Sequence, residues 1–120
     1  MPFEDSLKVR VVERHDDGVT CEFAVREEFL NGNGMLHGGV IASIADEAAW
    51  FAIDSHAGDA KNTTTTELKV NYLLPIMGDK VTARAFILRA GKRLFVLRVD
   101  MSGAGGRLAA VAIVSYIRLS

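Results

Sequence analysis

The sequence has one cysteine, two prolines and no long apolar run among its 120 residues. Because Cys21 has no second cysteine to pair with, an intrachain disulfide, a four-thiolate zinc site and a CxxC redox pair are excluded. No segment approaches the roughly 18 consecutive apolar residues of a membrane span, and the N-terminus lacks the pattern of a signal peptide. We therefore expect a cytoplasmic protein with no membrane contact.

Neither sign of charge dominates, and the net charge of −1 argues against a nucleic-acid partner. The distribution is nevertheless uneven. Residues 1–79 hold six basic and fourteen acidic side chains (6 − 14 = −8), whereas residues 80–120 hold eight basic and one acidic (8 − 1 = +7). This basic block fits either a solvated sheet face or a site for an anionic ligand such as a phosphorylated nucleotide.

Several catalytic motifs are also missing from the sequence. There is no Gly-x-Ser-x-Gly elbow, phosphate-binding Walker loop, Rossmann glycine pattern or paired-histidine zinc motif. Three scattered histidines are a poor metal set. We expect no cofactor and no metal.

The hydrophobic periodicity predicts a single α+β domain over residues 1–120. Two alternating segments joined at Asp16-Asp17-Gly18 predict a hairpin, and an alanine-rich segment after Gly38 predicts a long helix that ends near Gly58. This helix is apolar nearly all round, so we expect other elements to enclose it. The predicted strands cover residues 7–14, 19–26, 63–74, 81–90, 94–101 and 108–117.

Asp46 is an acid in the middle of this apolar helix. An unpartnered carboxylate there is costly, so Asp46 is paired, protonated or used in chemistry. The neighbouring Glu47 points about 100° away around the helix. The residue pattern alone leaves open whether Asp46 is catalytic or an acid that faces solvent or a subunit interface.

Gly38 and Gly39 stand where the helix should begin. The first N–H groups of a helix have no intrahelical partner, and glycine lets a substrate carbonyl approach them closely, so an oxyanion could bind there. A tight loop-to-helix junction is the alternative. We expect His37 to orient groups at this junction without transferring protons, and Asn31 lies in the preceding Gly- and Asn-rich loop.

The segment from Asn31 through His37-Gly38-Gly39 to Asp46 resembles the signature of hotdog-fold thioesterases of the PaaI-like (phenylacetic acid degradation) type. That signature has an Asn six residues before the His and an acid nine residues after it, and Asn31 and Asp46 match both positions. The strand TTTTELKVNYLLP is similar to the family's strand after the helix. The resemblance implies one long central helix wrapped by a curved antiparallel sheet.

The resemblance also implies an acyl-CoA thioesterase acting on a small aryl- or medium-chain acyl-CoA. It assigns polarisation of the thioester carbonyl to the amide of Gly38, positioning of substrate or water to Asn31, and the role of nucleophile or general base to Asp46. A hydroxyl that places the attacking water falls at Thr65, with Thr64 as the alternative. Because consecutive strand residues face opposite sides, only one of the two threonines can line the site.

Assembly and coenzyme A binding follow from the same resemblance. It implies a homodimer, often a dimer of dimers, because each site combines the helix start of one subunit with the acid of its partner. Gly39 at the helix start is expected to contact substrate. Arg89, Lys92 and Arg93 in the basic block are candidates to bind the coenzyme A phosphates, as is Arg107.

Two other functions remain open from the sequence. A hotdog dehydratase or hydratase would share the fold, although its usual pairing of a catalytic His with a helix acid is not matched here. A non-enzymatic acyl-CoA-binding domain would be favoured if Asp46 were missing. The acyl group is not specified, and candidates to line its pocket are Phe29, Met35, Trp50, Phe51 and Met77.

Overall fold

A computed structural model describes residues 2–120. Among these residues, six strands form one antiparallel sheet in the order β1-β2-β4-β5-β6-β3, and a long helix packs against it. The predicted α+β architecture is therefore confirmed. The elements are α1 (Phe3–Leu7), β1 (Arg10–His15), β2 (Gly18–Ala24), α2 (Gly38–Ala57), β3 (Thr63–Tyr72), β4 (Lys80–Ala90), β5 (Leu94–Ser102) and β6 (Leu108–Arg118).

The ends of α2 follow from its capping residues. His37 is the N-cap, and its side chain accepts a hydrogen bond from the N–H of Gly39. Gly58 closes the helix in the left-handed conformation with φ 79°, and its N–H donates to the carbonyl of Asp54. Both boundaries lie where the sequence predicted them.

The sheet covers only one side of α2. The buried side carries seven small or aliphatic residues, and alanine there lets the helix approach the sheet closely. The opposite side carries Glu47, Trp50 and Phe51, which are only half-buried, and Asp54, which is exposed. Asp46 is also half-buried and lies at the flank of the helix, next to β3 and β6. The expected enclosure of the helix is thus not achieved within one chain. The buried helix residues are Ile41, Ile44, Ala45, Ala48, Ala49, Ala52 and Ile53.

The first strand was predicted three residues too early. Residues 3–7 form the short helix α1, in which Glu4 and Asp5 occupy the first turn and so interact favourably with the helix dipole. Lys8 then adopts a left-handed conformation, and β1 begins at Arg10. The remaining strand ends agree with the prediction to within two residues at most.

Strand β3 forms one edge of the sheet and pairs with β6. Seven of its ten side chains are exposed, so its outer edge is open in the described chain. Its pairing register shifts between Thr65 and Glu67, which indicates a β-bulge at Thr66. The bulge changes which side chains of β3 face the helix.

Candidate active site

The start of α2 presents a backbone donor. The Gly39 N–H donates to His37 Nδ1 at 3.0 Å, whereas no acceptor within residues 2–120 is recorded for the Gly38 N–H. Because Nδ1 accepts this bond, it carries no proton in this geometry. His37 therefore orders the first helical turn, and Gly38 keeps an N–H that an oxyanion could use.

Asn31 organises the loop that leads to the helix. Its side-chain Oδ1 accepts hydrogen bonds from the backbone N–H groups of Asn33 at 2.8 Å and Met35 at 3.2 Å. These bonds occupy the oxygen and leave the NH₂ group of Asn31 as the donor for a ligand. Asn31 and Gly38 border the same cavity of about 330 Å³.

Tyr72, near the end of β3, closes this cavity beside the helix start. Its hydroxyl donates to the carbonyl of Gly38 at 2.7 Å. A Cβ added at Gly38 would lie 3.5 Å from the Tyr72 ring, an ordinary contact that the fold could accommodate. The other lining residues are apolar: Met35, Leu36, Ile41, Leu73, Leu74, Pro75 and Ile76.

Asp46 is held by two hydroxyl groups. Thr65 Oγ1 donates to Asp46 Oδ1 at 2.8 Å, and the Tyr116 hydroxyl lies 2.7 Å from the same oxygen and 2.9 Å from the Asp46 backbone carbonyl. Among the described residues, no hydrogen bond is made to Asp46 Oδ2. The carboxylate is therefore fixed through one oxygen while the other stays available.

The bulge explains why Thr65, and not Thr64, contacts Asp46. Leu68 and Tyr72 of β3 pair with residues of β6 that face the helix. Without a bulge, side chains alternate strictly along a strand, and Thr64 would then face the helix as well. The extra residue at Thr66 shifts the alternation by one position. Thr65 therefore pairs with Tyr116 and faces the helix in place of Thr64. The orientation of Thr65 toward the helix, and not that of Thr64, thus has a backbone cause.

The two groups of site residues are separated within one chain. Asp46 comes eight residues after Gly38 on the same helix, which corresponds to about 12 Å along the helix axis. That span exceeds the reach of a carboxylate that must act on a carbonyl held at Gly38. The candidate residues of one chain therefore form two separate groups, which are candidate half-sites: the helix start with Asn31, and Asp46 with Thr65.

A second cavity of about 360 Å³ lies on the outer side of α2, one turn after Asp46. It is bordered by the ring pair Trp50 and Phe51, whose centroids are 5.4 Å apart, and by the charged residues Glu4, Glu47 and Lys61. Burial raises the pKa of Glu47 to about 7, and the nearby charges of Glu4, Asp46 and Asp5 act in the same direction. The cavity thus combines aromatic walls with an acid that is partly neutral near pH 7.

The other sequence candidates for an acyl pocket are dispersed. Phe29 packs against Phe23, with ring centroids 5.5 Å apart, and the Arg26 guanidinium lies over both rings. Met35 borders the cavity beside Gly38. Met77 borders a different cavity, together with Arg107.

Arg89, Lys92 and Arg93 are exposed at the turn between β4 and β5. Arg118 secures this turn by donating to the carbonyls of Gly91 and Lys92. The turn lies at the end of the sheet where β3 begins. Tyr72 is at the other end of β3, about 30 Å away along the strand. Within one chain it is therefore on the Asp46 side and remote from the helix start.

Residues 2–120 contain no cluster of three or more His, Cys, Asp or Glu side chains suited to hold a metal ion. None of their helices has both the length and the apolar character needed to cross a membrane.

Sequence reasoning missed both tyrosines as site residues. Both lie in predicted strands, where an aromatic side chain is common without any functional role. A buried tyrosine usually places its hydroxyl against a polar partner, so Tyr116 carried a weak signal. Its partner could not be identified, because Tyr116 and Asp46 are 70 residues apart in sequence.

Comparison with known proteins gives consistent matches. The thioesterase superfamily model matches residues 33–110. Human acyl-coenzyme A thioesterase 13 is 30% identical over 105 residues, covering 86% of this chain and 74% of that protein. A Saccharolobus solfataricus protein assigned by name to the esterases is 34% identical over 110 residues, covering 92% of this chain and 78% of its own length.

Solved structures share the whole fold. The TT0310 protein of Thermus thermophilus superposes with a TM-score of 0.84 at 25% identity, covering 99% of this chain and 98% of that one. The phenylacetic acid degradation protein PaaI of Thermus thermophilus gives a TM-score of 0.85 at 24% identity, covering 99% and 100%. These matches confirm the predicted hotdog arrangement.

Proposed function

The chain belongs to the thioesterase superfamily and is a thioester hydrolase, and from this premise we propose that it hydrolyses acyl-coenzyme A at sites shared between two subunits. The observation that carries the proposal is the pair of half-sites on α2. One offers a free backbone N–H at Gly38, and the other offers a carboxylate oxygen of Asp46. Thioester hydrolysis needs both a donor for the oxyanion and a base or nucleophile.

The open edge of β3 supports assembly into a homodimer. Leu68 and Tyr72 are large side chains exposed on this strand, and Leu73 and Leu74 directly follow it. Such an edge is a ready template for pairing with another chain. A two-fold antiparallel pairing of two β3 strands would set the beginning of each strand beside the end of the other.

This pairing would complete the site. Thr65, near the beginning of β3, contacts Asp46, while Tyr72, at its end, contacts Gly38. Bringing opposite ends of two β3 strands together therefore brings the acid of one subunit toward the helix start of the other. Further pairing into a dimer of dimers is part of the proposal, and a lone chain would be inactive.

In the proposed reaction, the thioester carbonyl lies against the Gly38 N–H and the NH₂ group of Asn31. Asp46 Oδ2 takes a proton from water, which attacks the carbonyl carbon, or Oδ2 attacks that carbon directly. The tetrahedral oxyanion then collapses and expels the coenzyme A thiolate. With water as the nucleophile this gives the free acid, and Asp46 returns its proton to the thiolate or to solvent. With Oδ2 as the nucleophile it leaves an acyl–Asp46 anhydride, which a water molecule then hydrolyses to the free acid and the restored carboxylate. A thiolate is a good leaving group near neutral pH, so His37 is not needed as an acid and can remain the helix cap.

The cavity beside Trp50 and Phe51 supports the acyl specificity. It lies one helical turn from Asp46, and its aromatic walls suit a small aryl or medium-length alkyl group. Among related proteins, the Salmonella typhimurium protein YigI is named a medium/long-chain acyl-CoA thioesterase. We propose that small aryl- and medium-chain acyl-CoA are the substrates here.

The test is thiol release from a panel of acyl-CoA esters by the wild-type protein and by Asp46→Asn. The variant is nearly isosteric but cannot act as base or nucleophile, so we expect it to fold and to lose kcat by about 10²-fold or more. Turnover at the wild-type rate by the folded variant would remove Asp46 from the mechanism. Absence of thiol release by the wild-type protein across the panel would contradict acyl-CoA hydrolysis.

A further inference from the structure

Tyr116 is a buried residue of β6 that touches Asp46 twice. Its side chain is 4% exposed, and its hydroxyl lies within hydrogen-bonding distance of both the carboxylate and the backbone carbonyl of Asp46. A phenol has one proton, so it donates to one of these oxygens at a time, and the carboxylate is at the shorter distance. Contact with both oxygens ties the Asp46 side chain to its own backbone.

The hydroxyl of Tyr116 is a donor at any pH at which the enzyme would work. Burial raises the pKa of the Tyr116 phenol well above its usual range, and the adjoining Asp46 carboxylate acts in the same direction. Tyr116 therefore neither supplies nor takes up protons during turnover. Its effect on the reaction has to pass through Asp46.

Tyr116 and Thr65 act on the same oxygen from neighbouring strands. They are opposite each other in the β3–β6 pairing, and both hydroxyls approach Asp46 Oδ1. Two donors on Oδ1 restrict rotation of the carboxylate and direct Oδ2 away from the sheet. The β-bulge at Thr66 is what makes this convergence possible.

We propose that Tyr116 is a positioning residue that aims Asp46 Oδ2 at the reacting carbonyl or water. The inference rests on the proposed function, because it assigns a task to Tyr116 only if Asp46 acts on substrate. It goes beyond that function by naming a second residue on which the reactivity of Asp46 depends. Tyr116 makes no contact with substrate.

Such a role predicts a specific kinetic pattern for Tyr116→Phe. Loss of the donor lets the carboxylate rotate and removes one of the two hydrogen bonds that its Oδ1 accepts. We expect kcat to fall about tenfold with KM nearly unchanged, and the acid limb of the pH profile of kcat/KM to move upward by about one pH unit. A residue that only supports the fold would lower the amount of active protein and leave the profile in place.

Two further variants make the comparison sharper. Thr65→Val removes the second donor to Oδ1, so its acid limb should move upward as in Tyr116→Phe. Thr65→Ser keeps a hydroxyl, so its acid limb should stay at the wild-type position. Ser115→Ala is the matched control, because it removes a hydroxyl from the adjacent residue of β6, which faces the other side of the sheet. We expect this control to behave as wild type.

A measurement that does not depend on Tyr116→Phe folding uses the tyrosine ring itself. The chain has two tyrosines, so Tyr72→Phe leaves Tyr116 as the sole one. In that protein, labelled with ¹³Cζ tyrosine, the Tyr116 resonance should shift with pH across the same range as the acid limb. The shift should vanish when Asp46→Asn is added.

The outcomes separate this inference from the proposed function. If Asp46→Asn is inactive while Tyr116→Phe keeps the wild-type kcat and pH profile, or if the ¹³Cζ resonance does not respond to pH, Tyr116 is not a positioning residue. If Asp46→Asn retains full activity, the proposed function fails first. The inference is supported if the acid limb of the pH profile moves upward in Tyr116→Phe and in Thr65→Val and stays in place in Ser115→Ala.

Discussion

The beginning and the middle of α2 carry the two proposed half-sites, and these are built in different ways. At the beginning, a backbone N–H at Gly38 is presented by an exposed loop that Asn31 and His37 hold in shape. In the middle, a half-buried carboxylate is fixed by side chains from two strands of the sheet. The first half-site depends on local chain geometry, and the second depends on long-range packing.

This difference determines which mutations each half-site tolerates. A change at the helix start alters access to a backbone group and leaves the core untouched, because the surrounding residues are largely exposed. A change around Asp46 affects buried hydroxyls and neighbouring charges, so it alters both the reaction and stability.

Among changes that leave Asp46 in place, the largest effect is expected at the helix start. Gly38→Ala adds a methyl group whose nearest neighbours are Tyr72 side-chain atoms at 3.5–3.6 Å, an ordinary van der Waals distance, so the protein should fold normally. The methyl group narrows the approach of a carbonyl to the Gly38 N–H, and we expect kcat/KM to fall by about 10²-fold. Steady-state kinetics and thermal melting of the same sample check this.

Gly32→Ala is the control for Gly38→Ala. Gly32 lies in the same loop, and a Cβ there meets nothing within 4 Å. It should retain wild-type kinetics. Equal activity of the two variants would show that the helix start does not bind the carbonyl.

A smaller effect is expected from the basic turn, which lies on the Asp46 side. Charge reversal at Lys92 and Arg93 should raise KM for acyl-CoA about tenfold, and change it little for a short acyl thioester without the nucleotide. The kcat should change little, because these contacts are made equally in the ground and transition states. Added salt should weaken wild-type binding in the same direction.

Arg107→Glu distinguishes the two ends of the molecule for nucleotide binding. Arg107 borders a cavity with Leu74 and Pro75, which also line the cavity beside Gly38. If Arg107→Glu raises KM and reversal at Lys92 and Arg93 does not, the nucleotide lies at the helix-start end.

The smallest effect concerns stability around Asp46. The folded-state pKa of Glu47, about 7, lies above the usual value of 4.5, so the folded state holds this proton more tightly than the unfolded state. Stability should therefore fall as pH rises from 4.5 through about 7. Glu47→Gln should remove this loss of stability. At pH 8–9 its free energy of unfolding should exceed that of the wild type by roughly 1–2 kcal/mol after allowance for solvent screening.

Denaturant unfolding at pH 4 and at pH 9 checks this prediction. The variant should be more stable than wild type at pH 9, and the gain should largely disappear at pH 4. If the variant and the wild type differ in free energy of unfolding by the same amount at both pH values, ionisation of Glu47 is not the cause of the difference.

Local sequence signals predicted the fold and the helix start. Alternation and helical periodicity identified α2 and the strands, and Gly58 marked the helix end, because these features depend on neighbouring residues. The helix α1 was missed because it spans only five residues and its signal overlaps that of a strand.

The surroundings of Asp46 were less predictable. Periodicity could not show whether Thr64 or Thr65 faces the helix, because a single bulge residue reverses the alternation. Tyr116 reaches Asp46 only through the pairing of β3 with β6, which is a long-range property of the sheet. The half-site that depends on packing is thus the one that the sequence described least completely.

The most direct test of the central claim is complementation between the two half-sites. Asp46→Asn chains and Gly38→Ala chains, each nearly inactive alone, are mixed and allowed to exchange subunits. A hybrid dimer would contain one intact site, so random exchange should restore about a quarter of wild-type activity. Heterodimers demonstrated by mass spectrometry that remain inactive would contradict a site shared between two subunits.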